Sequence, residues 1–79
     1  MFYTYILQSK KDKSFYIGTT SDLKQRLNDH NQHHSKYSST KAPFDVVWYG
    51  GFGTKKLAIR FEKYLKSSSG YAFRNKHLI

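Results

Sequence analysis

The hydrophobic core that this chain can form is small, and aromatic side chains must supply much of it. A domain of 79 residues buries only about 60% of the surface that its unfolded chain exposes. Leu, Ile and Val are few, whereas Tyr, Phe and Trp together make up 18% of the residues. Because there is no Cys, neither disulfides nor thiolate zinc sites can reinforce the fold. We therefore expect one small domain over residues 1–79, held together by packing alone.

No segment of the sequence is suited to membrane insertion or export. The first ten residues have no basic stretch ahead of an apolar one. No apolar run reaches the roughly 18 residues that suggest a membrane-spanning helix. The lack of Cys also fits a reducing compartment. The sequence therefore predicts no membrane association and a cytoplasmic location.

The charge balance points to a polyanionic partner. Fourteen Lys and Arg residues face five Asp and Glu residues, which gives a formal net charge of +9. Such an imbalance concentrates polyanions around the protein and makes their binding sensitive to salt. Nucleic acid is the predicted partner class, although a generic basic surface that keeps a small protein soluble would have the same composition.

The N-terminal half predicts a β-hairpin followed by a helix. Residues 2–7 and 15–18 are rich in aromatic and β-branched side chains and flank a polar linker. Period-two alternation brings Tyr5 and Tyr16 to a common side of this hairpin. A helix is expected over about 21–33, capped by Thr20 or Ser21, with Arg26 and His30 one turn apart beside a Leu stripe.

The C-terminal half predicts a third strand and a second helix. The strand follows Pro43 and covers about 45–50, with glycines marking its end. The helix starts at Thr54, and Glu62 lies at the border between its apolar and polar sides. Gly70 is expected to end this helix, before one short helical turn in the tail. The predicted order is ββαβαα, an α+β domain with a small three-stranded antiparallel sheet flanked by helices.

Taken together, several spaced residues resemble a GIY-YIG nuclease domain, of the small type that consists of little else. The first motif corresponds to Tyr3-Thr4-Tyr5, in which only the final Tyr matches, and the second is intact as Tyr16-Ile17-Gly18. Arg26 and His30 on the first long helix and Glu62 on the second complete the set. The resemblance covers nearly the whole chain and implies hydrolysis of DNA phosphodiester bonds with one divalent metal ion, Mg2+ or Mn2+.

The chemistry of this reaction suits the residues that the resemblance selects. A pentavalent phosphate needs a cation that stays protonated and donates two hydrogen bonds, as the Arg26 guanidinium can. A hard cation needs at least one carboxylate and keeps several waters, so Glu62 alone would suffice as its protein ligand. Two alternatives stay open: Arg26 as an ordinary surface charge, and Glu62 as a surface pair with Lys66.

The attacking water must lose a proton, and Tyr5, Tyr16 and His30 are the candidate bases. An unperturbed Tyr has a pKa near 10, so a Tyr base needs nearby positive charge or a metal-bound water. The family resemblance favours a tyrosine as the base, with the other tyrosine and His30 orienting water or contacting phosphate. We take Tyr5 as the base and Tyr16 as its helper, and the resemblance itself leaves the choice between them open. The alternative is that the tyrosines are core aromatics and that His30 is a packing or capping residue.

Basic side chains along the chain are candidates for phosphate contacts, which position a nucleic acid without reading its sequence. Tyr37 is a further candidate, for stacking on an unpaired base. The predicted phosphate-binding residues are Lys24, Lys36, Lys41, Lys56, Lys63, Arg74 and Lys76.

The sequence leaves the biological setting of this predicted nuclease open. Branched DNA, single-stranded DNA and RNA all fit, as do roles in DNA repair, recombination or restriction. A single active site must dimerise or act twice to cut a duplex, so a homodimer or another protein partner is compatible with the prediction. The alternative functions are a basic nucleic-acid-binding module without catalysis and a docking domain of a larger nuclease complex.

Overall fold

The computed structural model describes residues 1–31 and 43–79. The predicted α+β class and the ββαβαα order are confirmed, with a three-stranded antiparallel sheet flanked by helices. The elements are β1 (Phe2–Ser9), β2 (Phe15–Thr20), α1 (Leu23–Asn31), β3 (Phe44–Phe52), α2 (Lys55–Leu65) and α3 (Ser68–His77). None of the helices in these two ranges is both long and apolar enough to cross a membrane.

β1 is the central strand of the sheet, whose strand order is β2-β1-β3. Its residues 4–7 are all buried, because they have a strand on each side and side chains packed on both faces. Tyr5 pairs with Gly18 of β2, and Leu7 pairs with Tyr16. Directly paired residues share a face of the sheet, so Tyr5 and Tyr16 are diagonal neighbours on one face, as the hairpin pattern predicted.

One face of the sheet packs against α1 through a largely aromatic core. The buried residues of this core are Tyr5, Leu7 and Phe44, and Leu23 and Leu27 of α1 cover them without being fully buried themselves. We call this the α1 face. It holds its helix mainly through the partial burial of a two-Leu stripe.

The opposite face, the α2 face, holds its helix more firmly. Ala58 and Leu65 of α2 have no exposed surface, and the Phe61 ring lies 5.6 Å from the Trp48 ring of β3. The buried hydroxyl of Thr4 also donates a 2.7 Å hydrogen bond to the Ala58 carbonyl. Apolar burial and a buried hydrogen bond together fix α2 on this face.

The first helix is shorter at its start than the sequence predicted. Its N-cap is Asp22 and not Thr20 or Ser21, because the Asp22 carboxylate accepts a 3.0 Å hydrogen bond from the backbone N–H of Gln25. The Thr20 hydroxyl instead accepts from the Asp22 N–H, within the turn that precedes the helix. α1 begins at Leu23, and the last two predicted helical positions, 32 and 33, lie outside the described residues.

The prediction that Gly70 ends the second helix was wrong. α2 ends at Leu65, and Ser67 caps a new ten-residue helix, α3, by accepting from the Gly70 N–H. Gly70 lies in the first turn of α3, where an added Cβ would be 1.6 Å from the Tyr64 carbonyl oxygen. The glycine therefore permits close approach of the two helices, and the predicted single turn in the tail is a full helix.

The prediction that glycines end the third strand was wrong for Gly50 and Gly51, which are paired residues within β3, whereas Gly53 does follow its last residue. A ring or side chain from a neighbouring position covers each of the two paired glycines: Trp48 lies over Gly50 and Met1 over Gly51. Both hairpin strands also continue two residues beyond their predicted ends.

Candidate active site

A cleft of about 320 Å³ lies at the C-terminal end of β2, where the chain turns into α1 and where α2 passes the edge strand. Arg26 reaches this cleft from α1, and Glu62 reaches it from α2, so the cleft spans the sheet edge between the two faces. The cleft is lined by Phe2, Thr19, Thr20, Ser21, Arg26, Lys55, Ile59 and Glu62. The two residues that the sequence assigned to phosphate stabilisation and to metal binding therefore share one cavity.

Both carboxylate oxygens of Glu62 are engaged by hydrogen-bond donors. Thr19 Oγ1 donates to Oε1 at 2.6 Å, and Lys66 Nζ donates to Oε2 at 2.8 Å. Burial raises the pKa of this carboxyl, but these two hydrogen bonds, with the charges of Lys66 and Lys63, outweigh burial and bring its pKa below the usual value. Glu62 is therefore ionised at neutral pH, and its pair with Lys66 exists alongside its place in the cleft.

Tyr5 lies beside this cleft, in the interior of the sheet. Only 4% of its surface is exposed, and its hydroxyl passes over Gly18, where an added Cβ would be 2.4 Å from the phenolic oxygen. Burial raises the pKa of Tyr5, and the Arg26 guanidinium partly opposes this through its charge and its N–H donors. In the free protein Tyr5 is thus a protonated phenol next to Arg26.

Tyr16 and His30 pack with Phe44 in an aromatic group that adjoins the Tyr5 core and does not line the cleft. The His30 ring lies 5.3 Å from the Tyr16 ring and 5.5 Å from the Phe44 ring. Asn31 fixes this end of α1, because its side-chain amide accepts from the Phe44 N–H at 2.6 Å and donates to the Phe44 carbonyl. The group thus joins α1, β2 and the start of β3.

Burial favours the uncharged form of the His30 imidazole. Its pKa is lowered chiefly by burial and further by the positive charge of Arg26, while Asp29 acts in the opposite direction. Its Nδ1 is buried and has no hydrogen-bond partner among the described residues. The ring is therefore neutral at pH 7.

Arg26 connects the predicted site residues to one another. Its charge acts on Tyr5 on one side and on His30, one helical turn later, on the other. Glu62 also acts electrostatically on Tyr5. Arg26 and Glu62 therefore line the cleft with Tyr5 beside it, and Tyr16 and His30 lie next to each other in the adjoining aromatic group.

The predicted phosphate contacts fall into three groups. Lys24 on α1, Lys56 and Lys63 on α2, and Lys76 on α3 are exposed, and the charge of Lys63 also reaches Glu62. Lys36, Tyr37 and Lys41 lie outside the described residues. Arg74 differs from the exposed lysines: its guanidinium lies over the Phe15 ring at 5.3 Å and over the Tyr71 ring at 4.7 Å.

The packing of Arg74 restricts its use as a phosphate ligand. Its Nε and Nη1 atoms are buried without a hydrogen-bond partner among the described residues. Cation–π contact with the two rings occupies this part of the side chain. The sequence could not anticipate this arrangement, because Phe15 is 59 positions away from Arg74 along the chain.

The sequence did not single out two polar residues near Glu62, Thr19 and Lys55, which both line the cleft. Thr19 directly follows the intact Tyr-Ile-Gly motif, but its contact with Glu62 spans 43 positions and has no local signature. The pair between Glu62 and Lys66, which the sequence offered as an alternative to a functional role of Glu62, is present in the structure.

The residues present fit one hard divalent cation and not a dense metal cluster. Three or more His, Asp or Glu side chains do not converge anywhere in residues 1–31 and 43–79. Glu62 is an ionised carboxylate at the wall of an open cleft, with 22% of its side chain exposed. Mg2+ is commonly bound by one or two carboxylates with waters and phosphate oxygens as its other ligands, so a single carboxylate such as Glu62 could hold one such ion.

The cleft combines a guanidinium and an ionised carboxylate, with a phenol beside it. A family model described as the GIY-YIG catalytic domain matches residues 1–76. The chain belongs to the GIY-YIG family. GIY-YIG domains are typically nucleases.

Similar proteins carry the name UPF0213, which states no activity. A UPF0213 protein of Streptococcus pneumoniae serotype 4 (strain TIGR4) is 37% identical over 65 residues, covering 81% of this chain and 65% of the relative. UPF0213 protein YazA of Bacillus subtilis (strain 168) is 37% identical over 57 residues, covering 71% and 58% respectively. UPF0213 protein SAG0778 of Streptococcus agalactiae is 34% identical over 71 residues, covering 89% and 80%.

The chain therefore spans less than two thirds of the length of the first two relatives.

Among solved structures, the solution NMR structure of UPF0213 protein BH0048 from Bacillus halodurans matches 96% of this chain and 84% of its own chain. Its sequence identity is 32% and its TM-score is 0.56. That likeness confirms the predicted fold.

Proposed function

We propose that this domain is a metal-dependent endonuclease that hydrolyses phosphodiester bonds in DNA through a one-metal site. The observation that carries the proposal is the meeting of Arg26 and Glu62 in one cleft beside Tyr5. The net charge of +9 supports a polyanionic substrate. Membership of a family of nucleases supports the reaction class.

In this proposal Glu62 holds the cation, Mg2+ or Mn2+, and Arg26 binds the reacting phosphate. A bound divalent cation would polarise the phosphate and lower the pKa of a coordinated water. Arg26 is exposed on α1 and reaches into the cleft, so its guanidinium can fork two hydrogen bonds to phosphate oxygens as charge develops on them. The two residues approach the cleft from opposite faces of the sheet, which leaves the space between them for the phosphate.

The proton is removed by one member of the Tyr5, Tyr16 and His30 set, and we retain Tyr5 as the proposed base. Because burial raises its pKa in the free protein, Tyr5 needs further positive charge in the substrate complex before it can act as a base. Arg26 already supplies part of that charge. We propose that Tyr16 and His30 orient the phosphate or the water from the adjoining aromatic group.

A cleavage assay tests the proposal. Single-stranded, nicked, branched and duplex DNA, and RNA of the same sequences, are incubated with the protein and Mg2+ or Mn2+. We expect metal-dependent cleavage that Glu62→Gln abolishes and that Arg26→Ala lowers by about 100- to 1000-fold, as for removal of a preorganised donor to a charged transition state. Tyr5→Phe is expected to lose activity as well, while retaining the core packing of the ring.

Matched controls separate the site from general charge. Arg60→Ala removes an exposed α2 cation, and Asp45→Asn removes an exposed carboxylate that pairs with Lys10. Both should cleave at the wild-type rate. Cleavage that survives both Glu62→Gln and Arg26→Ala would refute the assignment.

Two other results would replace the proposal. Salt-sensitive binding that ignores EDTA, without turnover on any substrate, would indicate a nucleic-acid-binding module. Recovery of a stable protein partner with no affinity for naked nucleic acid would indicate a docking domain.

A further inference from the structure

The two oxygens of the Glu62 carboxylate have partners of different chemical kinds. Thr19 is a neutral hydroxyl donor on the edge strand, 2.6 Å from Oε1, and it also lies 3.5 Å from the Ala58 carbonyl. Lys66 is an ammonium donor on the same helix, 2.8 Å from Oε2. One oxygen is therefore tied to the sheet, and the other is neutralised by a cation.

The two donors also differ in how firmly they are held. Thr19 is part of a paired strand and is half-buried, opposite Thr4 of β1. The Lys66 side chain is 53% exposed and stands at the C-cap of α2, with a flexible four-carbon stem. Exposed ion pairs of this i, i+4 kind contribute little to stability, so the ammonium can leave Oε2 easily. The Thr19 hydroxyl has only one side-chain torsion, which β-branching restricts, and its backbone is held in the sheet.

We infer that Thr19 is the positioning residue of the metal site and that Lys66 is a placeholder cation that a metal ion must displace from Oε2. This inference rests on the proposed function, because it takes Glu62 as the metal ligand. Thr19 holds Oε1 so that the carboxylate keeps one orientation. Oε2, whose partner is the more mobile of the two, is then the oxygen that a cation could take over, and Lys66 competes with that cation for it.

The placeholder gives the free protein an internally neutralised carboxylate. Without Lys66, a partly buried charge at the sheet edge would lack the ammonium hydrogen bond that now neutralises it. With Lys66, the same carboxylate stays ionised and ordered before any metal arrives. The cost is a weaker apparent metal affinity, because binding includes the loss of the ammonium contact.

Binding of Mn2+ to the protein alone, without DNA, tests the inference. Electron paramagnetic resonance measures the concentration of free Mn2+, and thus the affinity, for the wild type and for five variants. Lys66→Met is expected to bind Mn2+ about two- to fivefold more tightly, as the loss of an exposed competing pair implies. Thr19→Val should bind about two- to fivefold more weakly, and Thr19→Ser should restore the wild-type affinity. Glu62→Gln should lose the site.

Lys63→Met is the matched control for charge. Lys63 is an exposed lysine of the same helix whose charge acts on Glu62, without a hydrogen bond to it. If Lys66→Met tightens binding no more than Lys63→Met, the effect is general electrostatics and the placeholder role is wrong. If Thr19→Val binds Mn2+ as the wild type does, the positioning role is wrong.

A second measurement keeps this inference separate from the proposed function. In an NMR titration with Mg2+, the Cε signal of Lys66 should shift as its amino group leaves Glu62, while that of Lys63 should move much less. If Glu62→Gln and the wild type bind Mn2+ equally, the metal assignment itself fails. If only Glu62→Gln loses binding and the Lys66 signal stays in place, the assignment stands and the placeholder inference fails.

Discussion

The two faces of the sheet hold their helices by different means. On the α2 face, Ala58 and Leu65 are completely buried and a Thr4 hydroxyl reaches a helix carbonyl. On the α1 face, α1 has no fully buried residue, and it is secured by half-buried Leu side chains and by the Asn31 amide. Glu62 belongs to the firmly held helix, and Arg26 to the more loosely held one. The candidate site thus joins a fixed carboxylate to a more adjustable guanidinium.

The largest effect is expected from Gly70→Ala, at the junction of α2 and α3. An added Cβ would lie 1.6 Å from a backbone oxygen of Tyr64, so the two helices would have to separate. The resulting loss of about 3 kcal/mol or more in unfolding free energy outweighs the gain of up to about 1 kcal/mol in helix propensity. Urea denaturation measures it.

Gly53→Ala is the control for that substitution, because an added Cβ at Gly53 meets no atom within 4 Å. Its effect should stay below about 1 kcal/mol. Equal stability of the two variants would show that the α2–α3 contact is not tight.

Truncation of one Leu on each face compares the faces directly. Leu65→Ala removes a side chain with no exposed surface and should cost about 3 kcal/mol. Leu27→Ala removes a half-buried side chain that also borders open grooves and should cost about 1 to 2 kcal/mol. Urea unfolding of both variants is the measurement, and a larger loss for Leu27→Ala would reverse our ranking of the two faces.

Thr4→Val isolates the hydrogen bond from packing on the α2 face. Valine has nearly the same shape as threonine but cannot donate to the Ala58 carbonyl, so we expect a loss of about 1 kcal/mol. Thr4→Ser keeps the hydroxyl and serves as the comparison. Thr4→Ser lacks the methyl group of threonine, so its unfolding free energy is first corrected for that loss. If the two variants are then equally stable, the hydrogen bond contributes nothing measurable.

The smallest effect is a pH dependence on the α1 face. Burial lowers the pKa of His30 in the folded state, so the unfolded chain binds a proton more readily. The contribution of His30 to stability is therefore complete above its unfolded pKa, about 6.5, and is lost as the pH falls towards the lower folded pKa.

His30→Gln should flatten the fall in stability between about pH 7 and pH 5.5, while a substitution of exposed His77 to Gln should leave it unchanged. Urea midpoints across this pH range provide the measurement. A wild-type slope that persists in His30→Gln would assign the dependence to another group.

The fold class, the order of the elements and the side of each element that carries a given residue could be predicted, because they depend on the periodicity of the sequence. Tyr5 and Tyr16 share a face, and Glu62 lies at the border of its helix, as expected from period two and period 3.6. The wrong predictions concerned glycine, which can end a helix or strand but can also allow close packing within one. Gly70 was predicted to end α2, but it lies in α3 and permits contact between the two helices. Gly50 and Gly51 were predicted to end β3, but they lie within it under neighbouring side chains.

The candidate site was only partly visible for a related reason. The main candidate residues could be selected through their motifs and spacing, and their roles stay predictions. Thr19 and the packing of Arg74 depend on contacts across 43 and 59 positions, respectively. Such contacts follow from tertiary packing, for which a single sequence carries no local pattern.

The Asn31 amide has a consequence for how the two sequence-distant ends of the α1 face are held together. It binds both the N–H and the C=O of Phe44, so one side chain joins the last residue of α1 to the first residue of β3. The contacts of the His30 ring with Tyr16 and Phe44 lie at the same junction. The position of His30 relative to the sheet therefore depends on a single amide side chain.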